Sequence, residues 1–510
     1  MVERTGTERV RYRFSPLERR GVVAGWRGGQ IAAVAAGLLL AVLAVRSQPS
    51  VGGILVALGS TGLGVALAFW PISGRTGEQW LPLAVRWWWA TVAGGHRQLA
   101  FAPSEGHRLS VRPTGSEALA VLSPRPGWAG RRRSPFDGVS LFEMPFAPEP
   151  ADSPAGILVD GPSRTVTAVM IVRGHGFALL GPGDQDARIA SWARVLAAVA
   201  REGSEVHRLQ WLESSGPDDG GAVRRHWHDH AVLGHESAAG QSYGALVDES
   251  SPVTRRHQVL VAVSVHRSHA SRSIRASGGG ITGATAVLAR EMHSLHRALD
   301  GADISVEGVL GPAALARVLA ATWAGGTGGT SEAPETKPDS TWPWPMGVET
   351  EWDAIRADGT WHATYWIAEW PRVDVTPDFL GPLMFSPLRR SIALVMEPVS
   401  PSRAARQVAQ ARTADLADGE LRRRGGFLVT ARHSREKESV EERDGELADG
   451  HAQYRFSGYV TVTADTRDEL RTACAAVEQA AGQARIELRL LYGEQDAAFT
   501  CTLPLGRGLS

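Results

Sequence analysis

The sequence predicts an α+β protein: a two-span transmembrane helical hairpin followed by two cytosolic, sandwich-like α+β domains. Three observations carry this reading. Two uncharged apolar runs lie near the N-terminus, strands and amphipathic helices alternate through the rest of the chain, and one Gly/Ser/Thr/Pro-rich stretch interrupts that order.

Residues 1–73 hold a basic lead and the two apolar runs. "QIAAVAAGLLLAVLAV" (30–45) and "VGGILVALGSTGLGVALAFW" (51–70) contain no charge. At about 1.5 Å per residue such segments cross a hydrocarbon core of roughly 30 Å, so spans are expected at about 29–45 and 51–70. A cleaved signal peptide is the rival for the first run, but "RSQPS" and a second span follow it where a small-residue cleavage site would be needed. Gly52, Gly53, Gly59, Gly62 and Gly64 are poor helix formers in water, whereas in a bilayer small residues let helices approach closely.

Arginine sets the orientation. Arg11, Arg13, Arg19, Arg20 and Arg27 crowd the lead together with Arg4 and Arg9, only Arg46 lies between the spans, and Arg75, Arg86 and Arg97 follow them. Positive residues stay in the cytoplasm, so a two-pass plasma-membrane protein with both termini cytoplasmic is expected.

The stretch "GRTGEQWLPLAVRWWWATVAGG" (74–95) comes next. Read as a helix entered at about Gln79, with Pro82 in its first turn, it places Trp80, Leu83, Ala84, Trp87 and Trp88 on one stripe. An indole has an apolar body and one N–H donor, which suits the boundary between hydrocarbon and water. Residues 74–100 are therefore expected as an interfacial helix, with Trp26, Trp70, Trp80, Trp87, Trp88 and Trp89 as membrane-interface anchors.

The cytosolic part divides at 324–340, "AGGTGGTSEAPETKPDS", which reads as a flexible linker between α+β domains at 101–323 and 341–510. In the first, strands are expected at 164–172 and 257–265 and helices at 186–202 and 284–299. In the second, strands are expected at 360–371, 388–399 and 455–464, with a long helix from Pro401 and another over 466–484. The same order thus recurs on both sides of the linker, each sheet with helices on one face.

Composition narrows function by exclusion. Fifty-four basic and 54 acidic residues leave no net charge to draw the chain to nucleic acid, and no direct nucleic-acid binding is expected. Cys474 and Cys501 make no disulfide framework. In "HWHDHAVLGHE" (226–236), His226, His228 and His230 are the candidate metal ligands, yet their spacing matches no zinc motif of known mechanism, and a solvated histidine-rich helix is the reading adopted. "GGGITG" (278–283) has the glycine spacing of a dinucleotide loop, but a mostly polar stretch (266–277) separates it from the preceding strand, so it reads as a loop leading into a helix. A P-loop needs Gly-Lys-Ser/Thr, and the two lysines, Lys337 and Lys437, follow Thr336 and Glu436. No enzyme activity, metal or cofactor is expected, which leaves an anchor, scaffold or adaptor.

The N-terminal block, with "GRTGEQWLPLAVRWWW", resembles the membrane domain of actinobacterial proteins of conjugation-type (type IV) secretion, whose first part is similar to the two-span PrgI inner-membrane subunit. "VRGHGFALLGPGDQDARIASWARVLAAVAREGSEVHRLQWLE" (172–213) agrees with it. "GPLMFSPLRRSIALVMEPVSPSRAARQ" (381–407) and the block from 446 to 509 resemble the N-terminal, non-motor domain of the conjugation ATPase, where a "TLPLGRGL"-like stretch leads into the motor. The resemblance implies a scaffold that docks a separate P-loop secretion ATPase, sits among other inner-membrane secretion subunits and forms a homo-oligomer in the lipid bilayer. Two alternatives stay open: the two-span EccE component of type VII secretion, and a membrane-anchored metal-dependent hydrolase using the histidine cluster.

Overall fold

The structure is a computed structural model, and it describes residues 28–72, 74–92, 94, 97–99, 136, 138–145, 154–174, 176–217, 227–231, 234, 236–250, 255–324, 343–425 and 444–508. Trp26, the arginines of the lead, His226 and most of the linker lie outside these residues.

Two long apolar helices open the described chain, α1 (Gly28–Ser47) and α2 (Val51–Phe69). Ser50 caps α2 by accepting from the Gly53 amide at 3.4 Å. The helices pack through glycine. A Cβ on Gly37 would lie 2.8 Å from the Ser60 carbonyl oxygen, and one on Gly64 2.8 Å from that of Ala33. Most other large side chains of the pair are exposed, Leu39 at 62% and Leu58 at 66% among them, and both helices are long and apolar enough to cross a membrane. A short hairpin, β1 (Pro71–Ile72) and β2 (Arg75–Thr76), then leads into α3 (Gly77–Val92) and β3 (Arg97–Leu99).

The remaining elements are β4 (Val139–Met144), β5 (Ala155–Asp160), β6 (Thr165–Arg173), α4 (Pro182–Val199), β7 (Val206–Pro217), α5 (Ala238–Ser250), β8 (Arg255–His266), α6 (Ser271–Ala276), α7 (Gly280–Asp300), β9 (Ser305–Val309) and α8 (Pro312–Trp323). After the linker come β10 (Gly347–Thr350), β11 (Ile355–Ala357), β12 (Thr360–Glu369), α9 (Gly381–Met384), β13 (Arg390–Val399), α10 (Pro401–Gly425), β14 (Gln453–Ala464), α11 (Arg467–Gln483), β15 (Glu487–Leu490) and α12 (Gln495–Phe499).

Among the described residues, all strands from β3 to β15 join one antiparallel sheet of 13 strands, ordered β3-β10-β11-β12-β14-β13-β7-β8-β6-β5-β4, with β15 also beside β12 and β9 beside β6. The two α+β blocks read from the sequence are its two halves. Within the first, β9-β6-β8-β7 is the 4-1-3-2 order of a split βαβ, or ferredoxin-like, unit, and β15-β12-β14-β13 repeats it in the second. Buried hydroxyl pairs occupy matching places, Thr167 with Ser264 at 2.9 Å and Thr364 with Thr461 at 2.8 Å. The halves meet where β7 pairs with β13, from Leu209↔Met396 to Ser215↔Arg390.

Each face of the sheet has its own core. α4, α7 and α11 cover one face, where Met170, Val263, Val287 and Leu288 pack in the first half and Tyr365, Val460, Leu470 and Val477 in the second. The other face is closed by α8, α12 and the chain end. Leu315, Leu319, Trp323, Phe499, Leu503 and Leu505 form one cluster with strand residues of both halves, including Leu158, Leu212 and Ala393. Gln210 holds the chain end by its backbone, donating to the carbonyls of Cys501 (3.0 Å) and Leu503 (2.8 Å) and accepting from the Gly506 amide (2.8 Å).

Candidate functional site

Helix α3 joins the apolar hairpin to the sheet. Its start is wedged between α1 and α2: a Cβ on Gly77 would lie 3.0 Å from Leu67, and Glu78 lies against Gly29. The Gln30 amide donates to the Ala68 carbonyl at 3.0 Å, tying the same ends of α1 and α2 together. From there α3 presents Trp80 and Trp87 to the second half of the sheet. The Trp80 ring lies 5.9 Å from both Trp352 and Tyr492, and Trp87 meets Trp352 edge-on at 5.5 Å. Arg75 stacks over Trp80 at 5.6 Å and pairs with Glu494 at 3.3 Å. Directly after α3, β3 adds to the sheet edge through Gly347↔Leu99 and Glu349↔Arg97, with an Arg97–Glu349 ion pair of 2.8 Å.

The described tryptophans expected as membrane-interface anchors therefore divide. Trp80 and Trp87 face protein, while Trp70 (67% exposed), Trp88 (58%) and Trp89 (61%) face outward. Sequence periodicity shows that a helix has an apolar side; it cannot show that Trp352 and Tyr492, far along the chain, compete with lipid for part of that side.

Of the candidate metal ligands, His228 and His230 are exposed, and His228 contacts its neighbour Asp229 at 3.3 Å. Among the described residues no group of three His, Cys, Asp or Glu side chains is placed to hold a metal ion. The glycines of "GGGITG" serve packing and a turn. Gly278, Gly279 and Gly280 all have positive φ between α6 and α7, and a Cβ on Gly283 would lie 2.4 Å from the Ile274 carbonyl oxygen.

Two polar clusters were not legible in the sequence. The first is an ion pair across the β7–β13 junction. The Arg390 and Glu213 side chains are 0% and 1% exposed, His257 Nδ1 lies 2.8 Å from Glu213, and Arg390 also donates to the carbonyls of Leu383 (2.7 Å) and Met384. The second joins His207, His266 and His269, whose ring centroids lie 4.1 to 5.5 Å apart. A register shift between Val206 and Arg208 turns His207 toward the other two. Burial, with Arg208 next in rank, lowers the His207 pKa to about 4, so the ring is neutral at pH 7. A polar recess at the same junction is lined by Ser214, Ser391, Thr461, Thr463 and Arg389, and Asp465 pairs with Arg389 at 2.7 Å. Among the described residues, none of these clusters places a nucleophile beside a general base in an open cleft.

Residues 253–367 match the family model of EccE, described as a putative type VII ESX secretion system translocon. The matched segment runs from β8 through α7, β9 and α8, across the linker, and into β10–β12. It thus takes in strands from both halves of the sheet. Together with the two apolar helices, the match supports a membrane protein of a secretion system, on the type VII side and not on the conjugation-type side. No curated protein matches the chain.

Proposed function

We propose that this chain is a non-catalytic, two-pass membrane component of a type VII-like secretion translocon, holding its sheet at the cytoplasmic face and working with a separate P-loop ATPase and other membrane subunits. The observation that carries the reading is the EccE match over 253–367, which spans the linker and so concerns the paired halves as a unit. The arginine bias of the lead supports cytoplasmic termini, and neither lysine of the chain stands in a phosphate-binding loop. The sheet, packed on both faces and welded to the hairpin at α3 and β3, suits a platform better than a cleft enzyme.

The test is affinity isolation of the full-length chain from mildly solubilised membranes of its native host, with partners identified by mass spectrometry. Other type VII membrane subunits and a P-loop ATPase are the expected companions. Recovery of conjugation-type subunits, or of the chain alone, overturns the proposal. Truncation near residue 340 is a poor control, because it strips β13 from β7. Point variants at the joint are the better comparison.

A further inference from the structure

The outward side of α3 carries Leu81 (55% exposed), Val85 (46%), Trp88 (58%), Trp89 (61%) and Val92 (64%). At about 100° per residue these five fall within roughly 100° of arc, away from the arc that holds Trp80 and Trp87. A 16-residue helix with so broad an apolar stripe has no reason to stand in water. Its height is fixed by the contacts at its start: Gly77 packs on Leu67, two residues before the end of α2, and Glu78 on Gly29 at the start of α1. α3 therefore begins where both spans leave the hydrocarbon, and Phe69 (42%) and Trp70 (67%) at that end of α2 are exposed as well.

We propose that α3 is a two-sided joint whose Leu81, Val85, Trp88, Trp89 and Val92 lie in the headgroup–acyl boundary of the bilayer, while Trp80 and Trp87 clamp the sheet through Trp352 and Tyr492. The occupant of the stripe is lipid. A flat helix with its apolar face sunk about 5–10 Å into the interface is a stable arrangement, and indoles favour that depth. The consequence is mechanical: the β3/β10 edge is held at the membrane, and the sheet extends from it by about 50 Å across eleven strands at roughly 4.8 Å each. The inference rests on the hairpin crossing a bilayer and is independent of which secretion subunits surround it.

The experiment uses the purified full-length chain in nanodiscs of phosphatidylcholine with brominated or plain acyl chains, reading tryptophan emission. The double variant Trp88→Phe/Trp89→Phe is expected to lose about half of the bromine-dependent quenching, because exposed interfacial indoles carry it. Trp80→Phe/Trp87→Phe is expected to leave that quenching unchanged. A Val92→Trp variant supplies a gain of signal that does not depend on removing an indole: its added emission is expected to be quenched by brominated lipid and spared by aqueous iodide. Unchanged quenching in Trp88→Phe/Trp89→Phe, an equal loss in Trp80→Phe/Trp87→Phe, or iodide-accessible emission from Val92→Trp overturns the proposal and assigns the stripe to a protein partner.

Discussion

Arg390 and Glu213 are 177 positions apart and meet with no exposed surface between them, so removing one partner strands a charge. Arg390→Met is expected to lower stability by about 3–5 kcal/mol, and adding Glu213→Leu to recover much of the loss, since the apolar pair leaves no unpaired charge. Urea denaturation of the detergent-solubilised variants checks both; a double variant no better than the single one contradicts the account. His362 is fully buried, bonded through Nδ1 to Thr463 at 3.0 Å and packed 4.5 Å from Phe499. Burial lowers its pKa from 6.5 to about 3. In that window the unfolded chain binds the proton and the folded one does not, so stability is fully present above pH 6.5 and falls as pH drops toward 3. His207, lowered to about 4, adds a slope of the same sign. At pH 5 the His362 contribution is a loss of about 2 kcal/mol, and His362→Gln is expected to flatten the pH dependence of the unfolding free energy measured in urea by that amount. An unaltered slope contradicts it. None of these residues stands out in the sequence, because a charged or titratable residue inside a strand pattern looks the same whether its face is wet or sealed.

At the scale of elements, the joint and the hairpin depend on close approach. Gly37 and Gly64 face each other with Cα-to-Cβ room for nothing larger than hydrogen, so Gly37→Leu is expected to splay α1 from α2. Cross-linking between cysteines placed on the two spans measures this, and undiminished cross-linking argues against glycine-mediated packing. Trp352→Ala removes the ring that both Trp80 and Trp87 touch. Faster amide exchange in β3 and in Gly347–Glu349 is the expected result, with the core of the first half unchanged. The helices and strands themselves were readable: α1, α2, α7, β12, β14 and α11 fall within a few residues of the ranges their periodicity gives. β7 escaped that reading because its outward and inward positions alternate charged, aromatic and hydroxyl residues, and both faces are buried in part. α12 and the short α6 are too short to establish a period.

For the whole molecule, the continuous sheet and the shared cluster around Leu503 and Leu505 tie the halves into one cooperative body. Calorimetry of the full chain in detergent is expected to show a single transition for the sheet-bearing part. A chain ending at Glu494 lacks Phe499, Leu503 and Leu505, which pack against β5, β8 and α8 as well as β13. Hydrogen exchange should therefore accelerate in the first half too; acceleration confined to β10–β15 would show that the two halves are independent.

The sequence by itself determined the two apolar helices, the strand and helix periods, the recurrence of one order on both sides of the linker and the absence of a phosphate-loop lysine. Each is a local property, set by covalent spacing and side-chain polarity over a window of one element. Only the tertiary structure decided that β7 pairs with β13, that Gln210 grips the chain end nearly 300 positions later, and that the tryptophans of α3 divide between protein and the outward face. Those outcomes depend on which distant surfaces exclude water from one another, and a hydrophobic pattern states how much surface must be covered without stating by what.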